Sequence, residues 1–176
     1  DMGLKNWQIK PYLEERELKF YELELLEIIK QEKPDFVGRM ADIGCASGNF
    51  LRALRQHFPE AELTGLELNE DLIAIARERL GDGAEIIKAD ISSHEVVKPF
   101  DVATGSGVLS LFEDPLPILD QWIRWMAPGG LLLLYAKFNT KEIDTRILFR
   151  SHFNPHGWEE GITSYSLRTI SEHLAN

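Results

Sequence analysis

Met40 to Ile43 is a short apolar stretch, Gly44-Cys-Ala-Ser-Gly48 is a run of small residues, and Asn49 to His57 is amphipathic, with Phe50, Leu51 and Leu54 on one side. A strand that turns through small residues straight into a helix has few ways to fold. The helix packs back on the sheet, and the next strand then lies parallel to the first through a right-handed crossover. The turn falls at the carboxyl end of the strand. Small side chains there let a ligand approach the backbone, and the helix start offers free N–H groups.

The rest of the chain repeats this alternation. Residues 13–31 read as a helix, with Leu18, Tyr21, Leu25 and Ile28/Ile29 at spacings of three and four, ended by Pro34. Glu62–Glu67 reads as a second strand. Asn69 can cap the helix that follows, with Leu72, Ile73, Ala76 and Leu80 inward. Glu85–Ala89 and Phe100–Thr104 are further strands. Leu116, Leu119, Ile123 and Met126 mark one helix face, and a turn at Pro128–Gly130 leads into an apolar run, Leu131–Lys137, of the kind buried on both sides. The expected fold is α/β, Rossmann-like: a doubly wound, mainly parallel five-stranded sheet with helices on both faces. Ligands bind such sheets at the carboxyl edge of the strands, which here gathers the 44–48 turn, Glu67, Asp90 and the Gly105–Gly107 loop.

At 176 residues with a net charge of −10, the chain is large enough for a real core and lacks the basic balance of a nucleic-acid binder. Cys45 is the only cysteine, so neither an internal disulfide nor a thiolate zinc site is expected, which suits a cytoplasmic setting. It reads as a small packing residue. No apolar run is long enough to span a bilayer, and Arg52, Arg55, Arg77 and Arg79 read as solvated helix faces.

The chemistry of the edge narrows the ligand. A dinucleotide fingerprint starting at Gly44 would need glycine where Ala46 and Asn49 stand, and a P-loop would need a lysine that is missing. Asp42, just before the turn, would repel a pyrophosphate but attract an amine. Glu67 can accept from ribose hydroxyls, and Asp90 from an adenine amine; hydrogen bonds to a charged group contribute roughly 1.5–3 kcal/mol each. An ammonium, a ribose and an adenine without phosphate describe S-adenosylmethionine.

Five blocks then resemble the class I S-adenosylmethionine-dependent methyltransferases: Ala-Asp-Ile-Gly-Cys-Ala-Ser-Gly (41–48), Leu-Thr-Gly-Leu-Glu-Leu (63–68), Lys-Ala-Asp-Ile (88–91), Phe-Asp-Val-Ala-Thr-Gly-Ser-Gly-Val-Leu (100–109) and Met-Ala-Pro-Gly-Gly-Leu-Leu-Leu-Leu (126–134). They occur in the family's order, with alanine at 46 where glycine is usual. The resemblance implies that Gly44, Cys45, Ala46, Ser47 and Gly48 wrap the methionine part of S-adenosylmethionine and that Asp42 positions its amine. It also implies that Glu67 holds the ribose, that Leu68, Asp90 and Ile91 contact adenine, and that Ser106 to Leu109 line the methyl-transfer site. The expected chemistry is in-line transfer of the methyl group to a small-molecule acceptor; no residue is nominated as a general base, and no metal is expected.

Residues 1–34 would form an N-terminal lid and helix, with Trp7–Tyr12 similar to the lid of the small-molecule branch, and 35–176 the core. His152, His156 and Trp158 are candidates for substrate contact. The family's closing antiparallel hairpin is absent: Tyr165–Leu174 reads as the helix before it. An uncovered fifth strand is an aggregation liability, so further residues or a partner are expected to cover it, a homodimer being one way. Two other readings stay open, a non-catalytic subunit or sensor that binds S-adenosylmethionine or S-adenosylhomocysteine, and an NAD(P)-dependent oxidoreductase. Amino-group DNA methylation is disfavoured, since Thr104-Gly-Ser-Gly107 stands where its Asn/Asp-Pro-Pro-Tyr/Phe motif would be.

Overall fold

The computed structural model describes residues 11, 12, 14, 16–150, 157 and 159–175. Residues 7–10 of the lid segment, His152, His156 and Trp158 lie outside them. Strands β1 (Arg39–Ile43), β2 (Glu62–Glu67), β3 (Glu85–Lys88), β4 (Phe100–Ser106) and β5 (Met126–Tyr135) form one parallel sheet in the order β3-β2-β1-β4-β5. Helices α1 (Phe20–Glu32), α2 (Asn49–His57) and α3 (Glu70–Leu80) cover one face, and α4 (Leu116–Arg124) and α5 (Leu167–Leu174) cover the other.

The period-2 geometry of each strand explains the two cores. Met40, Leu63 and Val102 point into the first, against Leu25, Leu26, Ile29, Leu51 and Leu54. Their neighbours Ala41, Ile43, Leu66 and Ala103 point into the second, against Leu119 and Trp122. By the same alternation Asp42 shares a face with Met40, and Thr104 with Val102. Parallel pairing sets Asp42 beside Thr104, so the pleat and the register alone bring these two polar side chains together.

Five expectations need correction. The first helix begins at Phe20, and its buried stripe is Glu22, Leu25, Leu26 and Ile29, with Ile28 exposed. Met126 starts β5 instead of ending the preceding helix, and Ile123 is 42% exposed. Pro128–Gly130 is an irregularity inside β5: Phe100 pairs with Met126 but Val102 with Leu131. Leu131–Leu134 are half-buried, because β5 is an edge strand on which no further strand pairs among the described residues.

The fifth correction concerns the C-terminal quarter. Strands β6 (Phe138–Asn139), β7 (Thr145–Phe149) and β8 (Glu159–Ser166) form a second small sheet of order β6-β8-β7. Tyr165 is therefore a strand residue. It is 1% exposed, and its hydroxyl donates to the carbonyls of Leu109 (3.0 Å) and Phe112, fastening β8 to the turn that follows β4.

Candidate functional site

The turn after β1 has positive φ at three of its five residues: Gly44 (75°), Ala46 (48°) and Gly48 (80°). Gly44 lies against Val108, which leaves no room for a Cβ, and a Cβ on Gly48 would stand 2.7 Å from Leu80 Cδ1. Ala46 holds a left-handed conformation that costs a non-glycine residue roughly 1–2 kcal/mol. Ala46→Gly is therefore expected to raise stability by up to about 1 kcal/mol once glycine's greater entropy loss is counted. Urea unfolding midpoints measure this, and an unchanged or lowered midpoint would show that the alanine is not strained.

Glu67 braces the turn from the neighbouring strand. It is 7% exposed; Oε2 accepts from the Ala46 N–H, and Oε1 from those of Leu68 and Asn69, each at 2.9 Å. A carboxylate has about four acceptor positions, and three are used here. One is left for an incoming hydroxyl; a second ribose hydroxyl would have to replace a backbone N–H.

Asp42 is 4% exposed and accepts from Thr104 Oγ1 at 2.8 Å. Burial pushes its pKa up to about 7; Glu22 and Glu67 push in the same direction, and the Thr104 bond opposes them. No described arginine or lysine pairs with it. A buried carboxylate without a counter-ion is costly, and a ligand ammonium would relieve that cost. Burial also raises the Cys45 thiol well above its usual value, which suits a packing residue and not a nucleophile.

The remaining candidates lie along the same edge. Ser106 ends β4; its Oγ is buried and lacks a hydrogen-bond partner among the described residues. Leu68 is 36% exposed, Ile91 is buried, and Ser47 is buried within the turn. Asp90 is exposed, and its Oδ1 accepts from both the N–H and the hydroxyl of Ser92, which lowers its pKa. It thus caps a turn beside any role toward adenine.

Three contributors were not foreseen from the sequence. Helix α1 brings buried Glu22 close enough to raise the pKa of Asp42, while Arg16 grips Glu22 with two 2.6 Å bonds. Tyr21 stacks on Tyr135 at the end of β5, with centroids 4.1 Å apart, and Phe20 meets both rings edge-on. The one available signal was an acid in the apolar 22-25-26-29 stripe. The arginines are the third: Arg55 donates to the Gly83 carbonyl, Arg77 to that of Ile86, and Arg79 to Ser47, so these side chains are not merely solvated.

A parallel sheet of this order, with a left-handed small-residue turn and carboxylates on its carboxyl edge, is a Rossmann-like nucleotide-binding fold, and comparison with known proteins places it among the class I S-adenosylmethionine-dependent methyltransferases. A family model described as a methyltransferase domain matches residues 41–132, just over half of the sequence, and the chain belongs to that family. It is 32% identical over 112 residues to a trans-aconitate 2-methyltransferase of Methylobacterium nodulans (64% of this chain, 43% of that protein). It is 30% identical over 128 residues to the Escherichia coli protein of the same name (73% and 49%). The chain thus spans about half the length of these relatives. Among solved structures it is similar to CalS10, a SAM-bound amino pentose methyltransferase from Micromonospora echinaspora (TM-score 0.68, 18% identity, 99% of this chain and 89% of that one). It is also similar to the plantazolicin methyltransferase BpumL in complex with SAH (TM-score 0.58, 26% identity, 69% and 49%).

The donor set suits S-adenosylmethionine on the structure's own evidence. Among the described residues Asp42 has no cationic partner, Ser106 Oγ has no hydrogen-bond partner, and Glu67 has one acceptor position to spare. Among the described residues no cluster of ligating side chains could hold a metal, and no helix is long and apolar enough to cross a membrane.

Proposed function

We propose that this chain is the cofactor-binding part of a methyltransferase that acts on a small-molecule acceptor. The observation that carries this reading is Asp42, a carboxylate buried at the carboxyl edge without a counter-ion. S-adenosylmethionine, when bound, supplies a methyl group activated by the positive charge on sulfur. Asp42 takes the amine, the 44–48 turn lies along the methionine part, Glu67 accepts from the ribose, and Leu68, Asp90 and Ile91 flank the adenine. Ser106 stands on the acceptor side.

What the protein adds is alignment, which can supply about 7–11 kcal/mol of a barrier. Burial and Glu22 push Tyr21 up to about 12, so it stays protonated at neutral pH and donates instead of acting as a base. The two named relatives at 30% identity or more support a small acceptor, both being trans-aconitate 2-methyltransferases. The lone buried thiol of Cys45 suits a reducing cytoplasm.

The test is incubation with methyl-labelled S-adenosylmethionine and a metabolite extract. Transfer of label to a small molecule is expected. Tight cofactor binding with no transfer would instead favour a non-catalytic binding subunit.

A further inference from the structure

The Gly44–Gly48 turn is held from two sides. In front, Glu67 takes the Ala46 N–H. Behind, Arg79 reaches from the end of α3: its Nη1 donates to Ser47 Oγ at 2.8 Å and lies 3.4 Å from both the Ser47 carbonyl and Asn49 Oδ1. Ser47 and Asn49 flank Gly48 and are 1% and 5% exposed. Within the turn the Gly44 and Cys45 N–H groups donate to the Leu66 carbonyl and the Gly48 N–H donates to that of Cys45, which leaves Ser47 as the residue of the turn whose placement depends on the side-chain anchor from Arg79. The next residue along α3, Leu80, closes on Gly48 as well.

We infer that Arg79 is a positioning residue for the ligand-binding turn: it acts through Ser47 and Asn49 and keeps the turn in the shape that receives the amino-acid part of the cofactor. The inference rests on the reading that this turn binds S-adenosylmethionine. Arg79 itself touches no reacting atom. Its planar fork allows several contacts at once, and a lysine keeps the charge but makes fewer of them.

The experiment is calorimetric titration of the folded chain with S-adenosylhomocysteine, with melting temperatures recorded alongside. Arg79→Met is expected to weaken binding about fivefold, and Arg79→Lys to recover part of the loss. Ser47→Ala is expected to weaken binding about threefold alone and much less when added to Arg79→Met, because both remove the same contact. Binding by Arg79→Met equal to that of the unaltered chain, or losses that simply multiply in the double variant, would overturn the inference, whatever the change in melting temperature. Should Arg79→Met fail to fold, Arg79→Lys decides: a partial loss of affinity, reduced when Ser47→Ala is already present, supports the inference and an unchanged affinity overturns it. If the unaltered chain does not bind S-adenosylhomocysteine, the cofactor reading itself fails and the role of Arg79 falls with it.

Discussion

Asp42→Asn is expected to make the protein more stable at pH 8 and far weaker in binding its cofactor. The folded pKa of Asp42, about 7, stands well above its ordinary 3.8. The folded chain therefore keeps a proton that the unfolded chain has already lost. Stability from this group is fully present below about pH 4, declines as pH rises, and is gone above pH 7, a change on the order of 4 kcal/mol. Thr104, Glu22, Glu67, Tyr21 and Cys45 surround the carboxyl, and none of them supplies a positive charge. Asparagine keeps the shape and removes the buried charge, so a gain of about 1–3 kcal/mol is expected at pH 8 and little change at pH 5. Urea unfolding at both pH values measures it. A loss of similar size at both would show that Asp42 is a structural partner and not a strained ligand group.

The same substitution removes the partner of the cofactor's ammonium. A lost charge-assisted hydrogen bond of roughly 1.5–3 kcal/mol lowers affinity by about ten- to a hundredfold. In the unaltered chain the ligand binds the ionised form of Asp42, so affinity should fall as pH drops below 7 and binding should release protons there. Stability given up in exchange for function is common at binding sites.

Glu67→Ala has the other large effect, on stability and affinity together. Its carboxylate satisfies the N–H groups of Ala46, Leu68 and Asn69. Removing it leaves the half-buried Ala46 N–H without its acceptor and frees a turn already strained at Ala46. A stability loss of about 3 kcal/mol is expected, with at least a tenfold loss in affinity for S-adenosylhomocysteine. Glu67→Gln should fall between, since one amide oxygen can replace only part of the acceptor set. Unchanged affinity in a folded Glu67→Ala variant would remove Glu67 from the site.

Much of this was legible because strands and turns announce themselves locally. The small-residue run at 44–48 and the acids ending β1, β2 and β3 are readable from spacing, and the parallel sheet places them on one edge. The two helical layers follow from the same alternation, but the order of the five strands does not, since an alternating chain can also form the order 2-1-3-4-5. What could not be read depends on contacts distant in sequence. Glu22 looks like any helix glutamate until α1 packs over Asp42. Tyr21 and Tyr135 lie more than a hundred residues apart. Arg79 looks solvated until the 44–48 turn is set beside it. The burial expected for Leu131–Leu134 failed because apolar runs do not reveal whether a strand is central or at an edge. The bulge at Pro128–Gly130 looked like a turn because both features call for the same residues.

The central claim is that this edge binds S-adenosylmethionine through Asp42 and Glu67 and has no phosphate-recognising element. Side-by-side calorimetric titration with S-adenosylhomocysteine and NAD at pH 8 tests it most directly. Saturable one-site binding of S-adenosylhomocysteine and no measurable binding of NAD are expected. Tight NAD binding with no response to S-adenosylhomocysteine would contradict it.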